Sequence, residues 1–424
     1  MVQGEPVAVI LAAGFGRRMG STVPKPLIPL FGMPIIEHTI RALKQKNCRI
    51  IVVYSDERIA NYLRNKFPDI ILVKNPHPEK ENGYSLFLAE KYVNGDFFLF
   101  MGDHYFGDEF FEKCGKIYYY TTAFVSKFSL DPDEATKVAV SGRNVVDIGK
   151  KLENYTYFDT GMFYCKKEIF DYARKMVSER GTVPLSSIFK EMASSELLAY
   201  EVVHDDWIDI DTPRELKMAE EIIKRRIMKG EDGIIAKYIN RKISLAISKK
   251  IIRYEFLTPN ILTMISFLLG MLSAAMFFLS LPLLGGIMAQ ITSIVDGCDG
   301  EVARIKKMRS EFGGALDSIT DRYVDIFIVL GMAYAYGINL LSFLALFTAA
   351  TGVIIFSYTW HKTSVRFRVG GRDFRLFVIM LGGILSVISQ DALIITLLFV
   401  GILSHICAVS SLLLFRKFPE GKVI

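Results

Sequence analysis

The hydrophobic positions divide the chain into two parts with different patterns. In the first part, short apolar runs such as "VAVIL" (7–11) and "RIIVVYS" (49–55) lie between more polar stretches. Runs that are apolar at every position are typical of strands buried on both faces of a parallel sheet. From about Thr258 onward, the apolar runs reach the roughly 20 residues that a helix needs to cross a bilayer. The pattern therefore predicts an α/β domain followed by an all-α membrane domain.

Six transmembrane helices are predicted in the second part. Their ranges are about 261–281, 283–299, 313–336, 339–360, 375–390 and 392–415. The turns after the first, third and fifth helices contain no Lys or Arg. The basic residues collect on the opposite side: Arg304, Lys306, Lys307, Arg309, Lys362, Arg366, Arg368, Arg372, Arg375, Arg416, Lys417 and Lys422. Because positive charge marks the cytoplasmic side, we expect a multi-pass protein of the cell membrane with both termini in the cytoplasm.

The segment between the two parts has a pattern of its own. Residues 229–258 alternate Ile, Leu and Ala with Lys and Arg, which predicts an amphipathic juxtamembrane helix on the anionic inner leaflet. A surface helix of the first domain is the alternative interpretation. Pro259 ends the segment, and Asn260 can cap the first membrane helix. We therefore expect three segments, 1–228, 229–258 and 259–424.

Composition narrows the choice of chemistry. The net charge of +6 is modest, and we expect no nucleic-acid partner. The five cysteines form no CxxC pair, so neither a disulfide framework nor a zinc site is indicated. The first residues run directly into a strand, without the pattern of a signal peptide.

Four aspartates lie where the second and third membrane helices meet, in "DGCDGEVARIKKMRSEFGGALDSITD" (296–321). Asp296 and Asp299 are three residues apart, and Asp317 and Asp321 are four apart, so each pair shares one helix face. Carboxylates near hydrocarbon are costly unless they are neutralised. One or two Mg²⁺ ions would neutralise them and would favour a substrate with a diphosphate. A proton relay, a cation pathway or interhelical ion pairing are the alternatives that the residues leave open.

The spacing D-x2-D-G-x2-A-R-x8-G-x3-D-x3-D resembles the signature of CDP-alcohol phosphotransferases. All eight positions are occupied, by Asp296, Asp299, Gly300, Ala303, Arg304, Gly313, Asp317 and Asp321. The resemblance implies that the aspartates hold the metals and that Asp321 is also the catalytic base. It further implies that Gly300, Ala303, Arg304 and Gly313 contact the nucleotide. The reaction would release CMP from a CDP-alcohol.

A glycine-rich loop follows the first strand of the soluble part. Its glycines and the cations Arg18 and Lys25 could wrap a triphosphate. The pattern L-A-A-G-x-G-x-R-M-G with P-K-P-L downstream resembles the sugar-phosphate nucleotidyltransferase family, which has a Rossmann-like α/β fold. The resemblance implies nucleotide contacts from Leu11, Ala12, Gly14, Gly16, Lys25, Asn82 and Gly83. It implies catalytic roles for Arg18 and Lys25.

The same resemblance implies one metal ion between Asp103 and Asp209, with Asp211 as the alternative to Asp209. "ENGYSL" (81–86) is expected to be a loop that contacts the base and the sugar. Lys151, or its neighbour Lys150, and Asp159 are expected near the sugar phosphate. His104 is interpreted equally well as a ligand contact or as a strand-end hydrogen bond.

A basic stretch precedes the fifth membrane helix. Its members are Lys362, Arg366, Arg368, Arg372 and Arg375. Guanidinium groups can bind a phosphate through two hydrogen bonds, so we expect these residues to bind the phosphate of an acceptor. The alternative is that they only follow the positive-inside rule.

The order of the two parts resembles the family of bifunctional inositol-1-phosphate cytidylyltransferases and di-myo-inositol-phosphate-phosphate synthases. This resemblance implies CTP and inositol 1-phosphate as substrates, CDP-inositol as the CDP-alcohol, and a second inositol phosphate as acceptor. It implies Mg²⁺ or Mn²⁺, with two ions in the membrane site and one in the soluble site, and both sites cytoplasmic. Small residues in the membrane helices also allow a homodimer. The alternatives are a phospholipid head-group synthase whose soluble domain has altered specificity, and a transporter with a nucleotide sensor.

Overall fold

The computed structural model describes residues 5–228, 233–365, 367 and 369–417. It divides into two compact units, Met1–Ile223 and Lys224–Ile424. The first unit is a mixed α/β fold, and the second is helical.

The first unit is built on one large sheet. Its strands are β1 (Val7–Ala12), β2 (Pro29–Leu30), β3 (Met33–Pro34), β4 (Arg49–Tyr54), β5 (Ile71–Lys74), β6 (Phe97–Met101), β7 (His104–Phe106), β8 (Thr121–Ser126), β9 (Lys137–Ser141), β10 (Asn144–Gly149), β11 (Tyr157–Cys165), β12 (Leu198–Val202) and β13 (Trp207–Asp209). Nine of them pair in the order β5-β4-β1-β6-β11-β8-β12-β10-β9. β1 is parallel to both β4 and β6, as its apolar sequence predicts.

The helices of the first unit cover both faces of this sheet. They are α1 (Ile35–Gln45), α2 (Glu57–Lys66), α3 (Glu81–Ala89), α4 (Asp108–Glu112), α5 (Ile169–Glu179), α6 (Leu185–Ser194) and α7 (Pro213–Ile227), within which the boundary between the units falls. Alternate side chains of β1 enter two separate cores: Ala8 and Ile10 pack with α1, and Val9 packs with α5 and α6. Residues 81–86, which we expected to form a loop, are the first turns of α3; that expectation is wrong.

Short strands bring the predicted metal ligands together. β7 and β13 form a separate antiparallel pair in which Asp209 lies opposite His104. Asp103 directly precedes β7, where the chain leaves the carboxyl end of β6. Two residues more than 100 positions apart in sequence are therefore placed side by side at one edge of the parallel sheet.

The second unit begins with a π-helical turn (Ala236–Asn240) that continues into α8 (Arg241–Ile251). Six longer helices follow: α9 (Pro259–Phe278), α10 (Pro282–Ile305), α11 (Glu311–Tyr336), α12 (Leu340–Thr363), α13 (Arg372–Leu385) and α14 (Asp391–Lys417). Three of them, α9, α12 and α14, are long and apolar enough to cross a membrane. The others carry charged side chains along part of their length.

Capping residues set the starts of these helices. Thr258 caps α9 by accepting a hydrogen bond from the backbone N–H of Ile261, and Pro259 occupies the first helical position. Proline is tolerated there because that N–H has no partner within the helix. Asn260, which we expected to be the cap, lies inside α9, so that expectation is wrong. Ser310 caps α11 in the same way through the N–H of Gly313.

Candidate active sites

The first unit contains a cavity of about 600 Å³ at the carboxyl ends of β1 and β6. Ligands of open α/β sheets commonly bind at this edge. Arg18, Asn82, Asp103, Asp159 and Asp209 all line the cavity. The fold thus gathers predicted site residues from five separate segments of the sequence.

Lys25 organises the charged part of this cavity. Its ammonium nitrogen lies 2.7 Å from Asp103, 3.2 Å from Asp209 and 2.6 Å from Asp211. Burial opposes the charge on Lys25, but the three carboxylates outweigh burial and raise the pKa of the ammonium group. Gly16 has a left-handed φ of 58°, and a Cβ there would lie 2.8 Å from the Lys25 Cβ. Only glycine lets the loop pass this close to Lys25.

Asp103, His104 and Asp209 offer one ligand atom each within 4.8 Å of one another. Nδ1 of His104 is 3.0 Å from Asp103 and 3.6 Å from Asp209. Burial disfavours the ionised form of Asp103, yet Lys25 and His104 together hold the pKa of that carboxyl below its usual range. Two carboxylates beside an imidazole fit a divalent metal ion. Asp211 lies outside this trio, although it accepts a hydrogen bond from Lys25 as Asp103 and Asp209 do.

Of the predicted catalytic and sugar-phosphate residues, Arg18, Lys150 and Asp159 lie on the cavity wall. Arg18 is exposed and pairs with Glu134 at 3.1 Å. Lys150 lines the cavity, whereas Lys151 is not among the lining residues. Asp159 lines it too, and burial raises the pKa of its carboxyl to about 6.

The predicted nucleotide-binding positions divide into two groups. Leu11 and Ala12 end β1 and are buried, while Gly14 is exposed in the following loop. Asn82 faces the cavity from α3. A Cβ at Gly83 would lie 2.5 Å from the backbone oxygen of Val183, so this glycine allows α3 to pack closely on its neighbour.

In the second unit, α10 and α11 bring three of the four motif aspartates together. Asp296, Asp317 and Asp321 each offer an oxygen within 4.8 Å of the others. A purely oxygen ligand set of this kind fits Mg²⁺ or Mn²⁺. Asp299 has a different partner, because its carboxylate accepts a hydrogen bond of 2.6 Å from the Thr263 hydroxyl on α9.

Arg372, at the first position of α13, joins the acidic cluster. Its Nη1 lies 2.9 Å from Asp296 and 2.7 Å from Asp321, and its Nε donates to Asp325 at 3.3 Å. Arg375 is buried and donates to Asp325 at 3.0 Å. Arg372 therefore contacts the motif aspartate Asp321, whereas Arg375 pairs with Asp325, which lies one helical turn after Asp321 on α11.

The other predicted members of the basic stretch take the following places. Arg366 and Arg368 lie outside the described residues. The Lys362 ammonium group lies 5.8 Å from the centre of the Tyr358 ring, at the end of α12.

The motif glycines lie beside polar groups. A Cβ at Gly300 would lie 3.2 Å from the Arg304 guanidinium, on the same face of α10. One at Gly313 would lie 3.2 Å from Asn260, across the gap between α11 and α9. Ala303 is half-buried, next to Arg304. At both positions glycine therefore allows a polar side chain to approach the helix backbone closely.

Several residues of these sites were not predicted from the sequence. Asp325 follows Asp321 by four residues, the same spacing as that between Asp317 and Asp321, and this signal was present in the sequence. Ser266, which donates to Asp296 at 3.1 Å, and Thr263 lie three residues apart on α9. Their spacing alone does not reveal which neighbouring helix they face.

Comparison with known proteins gives matches for both units. A family model described as a MobA-like NTP transferase domain matches residues 8–114, and one described as CDP-alcohol phosphatidyltransferase matches residues 256–410. The chain is 38% identical to the bifunctional IPC transferase and DIPP synthase of Archaeoglobus fulgidus, over 96% of this chain and 84% of that one. It is 35% identical to the protein of the same name from Aquifex aeolicus, over 89% and 92% of the two chains. The solved structure of the inositol-1-phosphate CTP transferase from T. maritima aligns with 26% identity and a TM-score of 0.47, covering 52% of this chain and 97% of that one.

Proposed function

The chain belongs to the family of bifunctional IPC transferases and DIPP synthases, and from this premise we propose a two-step reaction. The first unit would join CTP and inositol 1-phosphate to give CDP-inositol and pyrophosphate. The second unit would transfer phosphoinositol from CDP-inositol to another inositol phosphate and release CMP. Family membership confirms the resemblance inferred from the two sequence motifs, and with it the assignment of the chain as a transferase.

In the first step, an oxygen of the inositol phosphate would attack the α-phosphorus of CTP directly, so no covalent nucleophile is required. Lys25 and Arg18 are placed to stabilise negative charge on the α-phosphate and on the departing pyrophosphate. Asp103 and Asp209 would hold one divalent ion, which when bound neutralises phosphate charge. Asn82 and Lys150 would position the two substrates from the walls of the cavity.

In the second step, Asp321 would remove the proton from the acceptor hydroxyl. The resulting oxygen attacks the phosphorus distal to cytidine, and the bond to CMP breaks. Asp296, Asp299 and Asp317, together with Asp321, would bind two ions that neutralise the diphosphate. Arg372, 2.7 Å from Asp321, is positioned to meet the acceptor phosphate.

We extend this proposal to the setting of the enzyme. The ions would be Mg²⁺ or Mn²⁺, and α10, α11 and α13 would cross the membrane together with the three apolar helices. The ends that carry Arg304, Lys362 and Arg372 would face the cytoplasm, which would place the membrane site on the cytoplasmic side. The small residues of α9–α11 also support a homodimer, which cross-linking in membranes would detect.

One observation carries the membrane half of this proposal. Asp296, Asp317 and Asp321 come from two helices, yet one oxygen from each lies within 4.8 Å of the others. Without a cation, three carboxylates at that separation would repel one another strongly. Arg372 neutralises part of this charge, and the negative charge that remains supports the binding of divalent ions and of a diphosphate substrate between them.

The test supplies purified full-length protein with CTP, inositol 1-phosphate and Mg²⁺, and measures pyrophosphate and CMP separately. Wild type should release both. Asp321→Asn should release pyrophosphate at the wild-type rate but no CMP. The matched control is Asp391→Asn at the start of α14, which should release both products normally. Pyrophosphate and CMP release that are both unchanged in Asp321→Asn would refute the assignment of the base.

A further inference from the structure

A small polar cavity lies beside the acidic cluster of the second unit. Its volume is about 100 Å³, and its walls include Asn240, Ser244, Ser293, Asp296 and Arg372. A single water needs only about 10–15 Å³ of such space, so several hydroxyl-sized groups fit. The cavity adjoins Asp296 on the side of α13, whereas Asp299 faces α9.

The wall opposite α10 is the π-helical turn Ala236–Asn240. π-helical turns are rare and are frequent at functional sites. The Asp373 carboxylate holds this turn by accepting a hydrogen bond of 2.8 Å from the N–H of Ala236. A Cβ at Gly233 would lie 2.5 Å from the same carboxylate, so a larger residue there would displace the Asp373 side chain from this position. The turn is thereby fixed, with Asn240 against α10.

Asn240 belongs to a chain of buried hydrogen bonds. The Gln290 amide donates to the Asn240 carbonyl oxygen at 2.7 Å, and the Asn240 amide donates to the Ser293 hydroxyl at 2.9 Å. The three side chains are 8%, 4% and 8% exposed. Within the described residues, the Ser293 hydroxyl has no acceptor for its own proton, and the Asn240 amide has a second N–H to donate. Apolar side chains could fill the same space without the free-energy cost of burying polar groups, so these polar side chains are better explained by a ligand than by packing.

The other polar residues of the wall are already engaged. Arg241 lies 2.8 Å from the fully buried Glu301 and donates to the backbone oxygen of Gly297 at 3.3 Å. The Ser244 hydroxyl donates to Glu301 at 2.6 Å. Because Glu301 and Gly297 engage Arg241 and Ser244, the uncharged side chains of the described wall that can still bond a ligand are Asn240 and Ser293.

We propose that this cavity binds the ring hydroxyls of the phosphorylated polyol acceptor, and that Asn240 and Ser293 determine which polyol is accepted. The inference rests on the proposed function and adds to it the recognition of the acceptor. The acceptor phosphate would pair with Arg372 at the mouth of the cavity, and the neutral hydroxyls would reach Asn240 and Ser293. This arrangement would hold the attacking hydroxyl near Asp321, which Arg372 contacts at 2.7 Å.

The experiment isolates the second step by supplying CDP-inositol to the purified full-length protein. CMP release is measured with inositol 1-phosphate and with glycerol 3-phosphate as acceptors. Asn240→Leu and Ser293→Ala should each raise KM for inositol 1-phosphate by about tenfold, the loss expected for one hydrogen bond. The preference for inositol phosphate over glycerol phosphate should fall by a similar factor. KM for CDP-inositol and pyrophosphate release from CTP should stay unchanged.

The matched control is Ser404→Ala, which removes another buried hydroxyl, one that donates to the Val400 backbone oxygen within α14. It should leave both KM values as in wild type. A raised KM for CDP-inositol in place of the acceptor would overturn the inference, because the cavity would then serve the donor. So would variants whose melting temperature falls while the acceptor KM and preference stay constant. If wild type releases no CMP with either acceptor, the proposed function itself fails, which is a separate result.

Discussion

Replacing Lys25 by methionine should destabilise the first unit and slow its release of pyrophosphate, both by amounts that the structure predicts. The change keeps most of the side-chain volume but removes the cation that lies between three carboxylates. Asp103, Asp209 and Asp211 would then repel one another. The variant should therefore be destabilised most when no divalent ion is present.

The size of this destabilisation depends on how exposed the ion-paired side chains are to solvent. The Lys25 side chain is 5% exposed, but its three partners are 28%, 44% and 29% exposed. Breaking a fully buried pair costs about 3–5 kcal/mol, and an exposed pair contributes about 0–1 kcal/mol. Because the Lys25 site lies between these limits, Lys25→Met should lower the free energy of unfolding by about 2–3 kcal/mol. For a unit of this size, the loss corresponds to a fall of roughly 4–12 °C in melting temperature.

The assay is thermal unfolding of the full-length protein, with and without Mg²⁺, together with pyrophosphate release. Mg²⁺ should restore part of the lost melting temperature, because it supplies positive charge to the same carboxylates. The rate of pyrophosphate release should fall by about 10²–10³-fold, while CMP release from added CDP-inositol should not change. The control Lys74→Met removes an exposed lysine that pairs with Glu57 at 2.8 Å, and should cost less than about 1 kcal/mol. Equal melting temperatures for the two variants would refute the reasoning.

Three further predictions test other contacts. Thr263→Val removes the hydrogen bond to Asp299 and should raise the Mg²⁺ concentration for half-maximal CMP release by about tenfold or more, without affecting pyrophosphate release. Asp325→Asn leaves Arg375 buried without its counter-charge and should destabilise the second unit by about 3–5 kcal/mol; adding Arg375→Met should recover stability in a thermal melt. Asp159→Asn tests pH dependence: because burial raises the Asp159 pKa from 3.8 to about 6, its contribution to stability is present below pH 3.8 and lost as pH rises through about 6. The metal-free Asn variant should therefore be the more stable protein above pH 6, by roughly 3 kcal/mol at most, and a similar melting curve for both proteins at pH 8 would contradict this.

The sequence predicted the elements whose pattern is local. β1 and β4 were recognised from their apolar runs, and all six long helices of the second unit begin and end within six residues of the expected ranges. The start of α9 was misplaced because proline at the first helical position moves the cap to Thr258. Residues 81–86 were expected to form a loop because of the family resemblance and not because of a local pattern, and they are the first turns of α3.

The candidate sites show the same distinction. The sequence named Asp296, Asp317 and Asp321 from their spacing, and Asp103 and Asp209 from a family resemblance, and the structure brings each set together. Their roles as metal ligands stay a prediction. Contacts between helices could not be predicted in this way. Whether Thr263 meets Asp299, or Asn240 meets Ser293, depends on how α9, α10 and the π-helical turn pack together.

The central claim is that α10 and α11 form one binding site for divalent ions. The most direct measurement is anomalous diffraction from crystals of the full-length protein grown with Mn²⁺ and a CDP-alcohol. The account predicts a Mn²⁺ peak about 2.0–2.3 Å from carboxylate oxygens of Asp296, Asp317 and Asp321. Saturated crystals with no peak among these three side chains, or with the side chains turned away from one another, would contradict it.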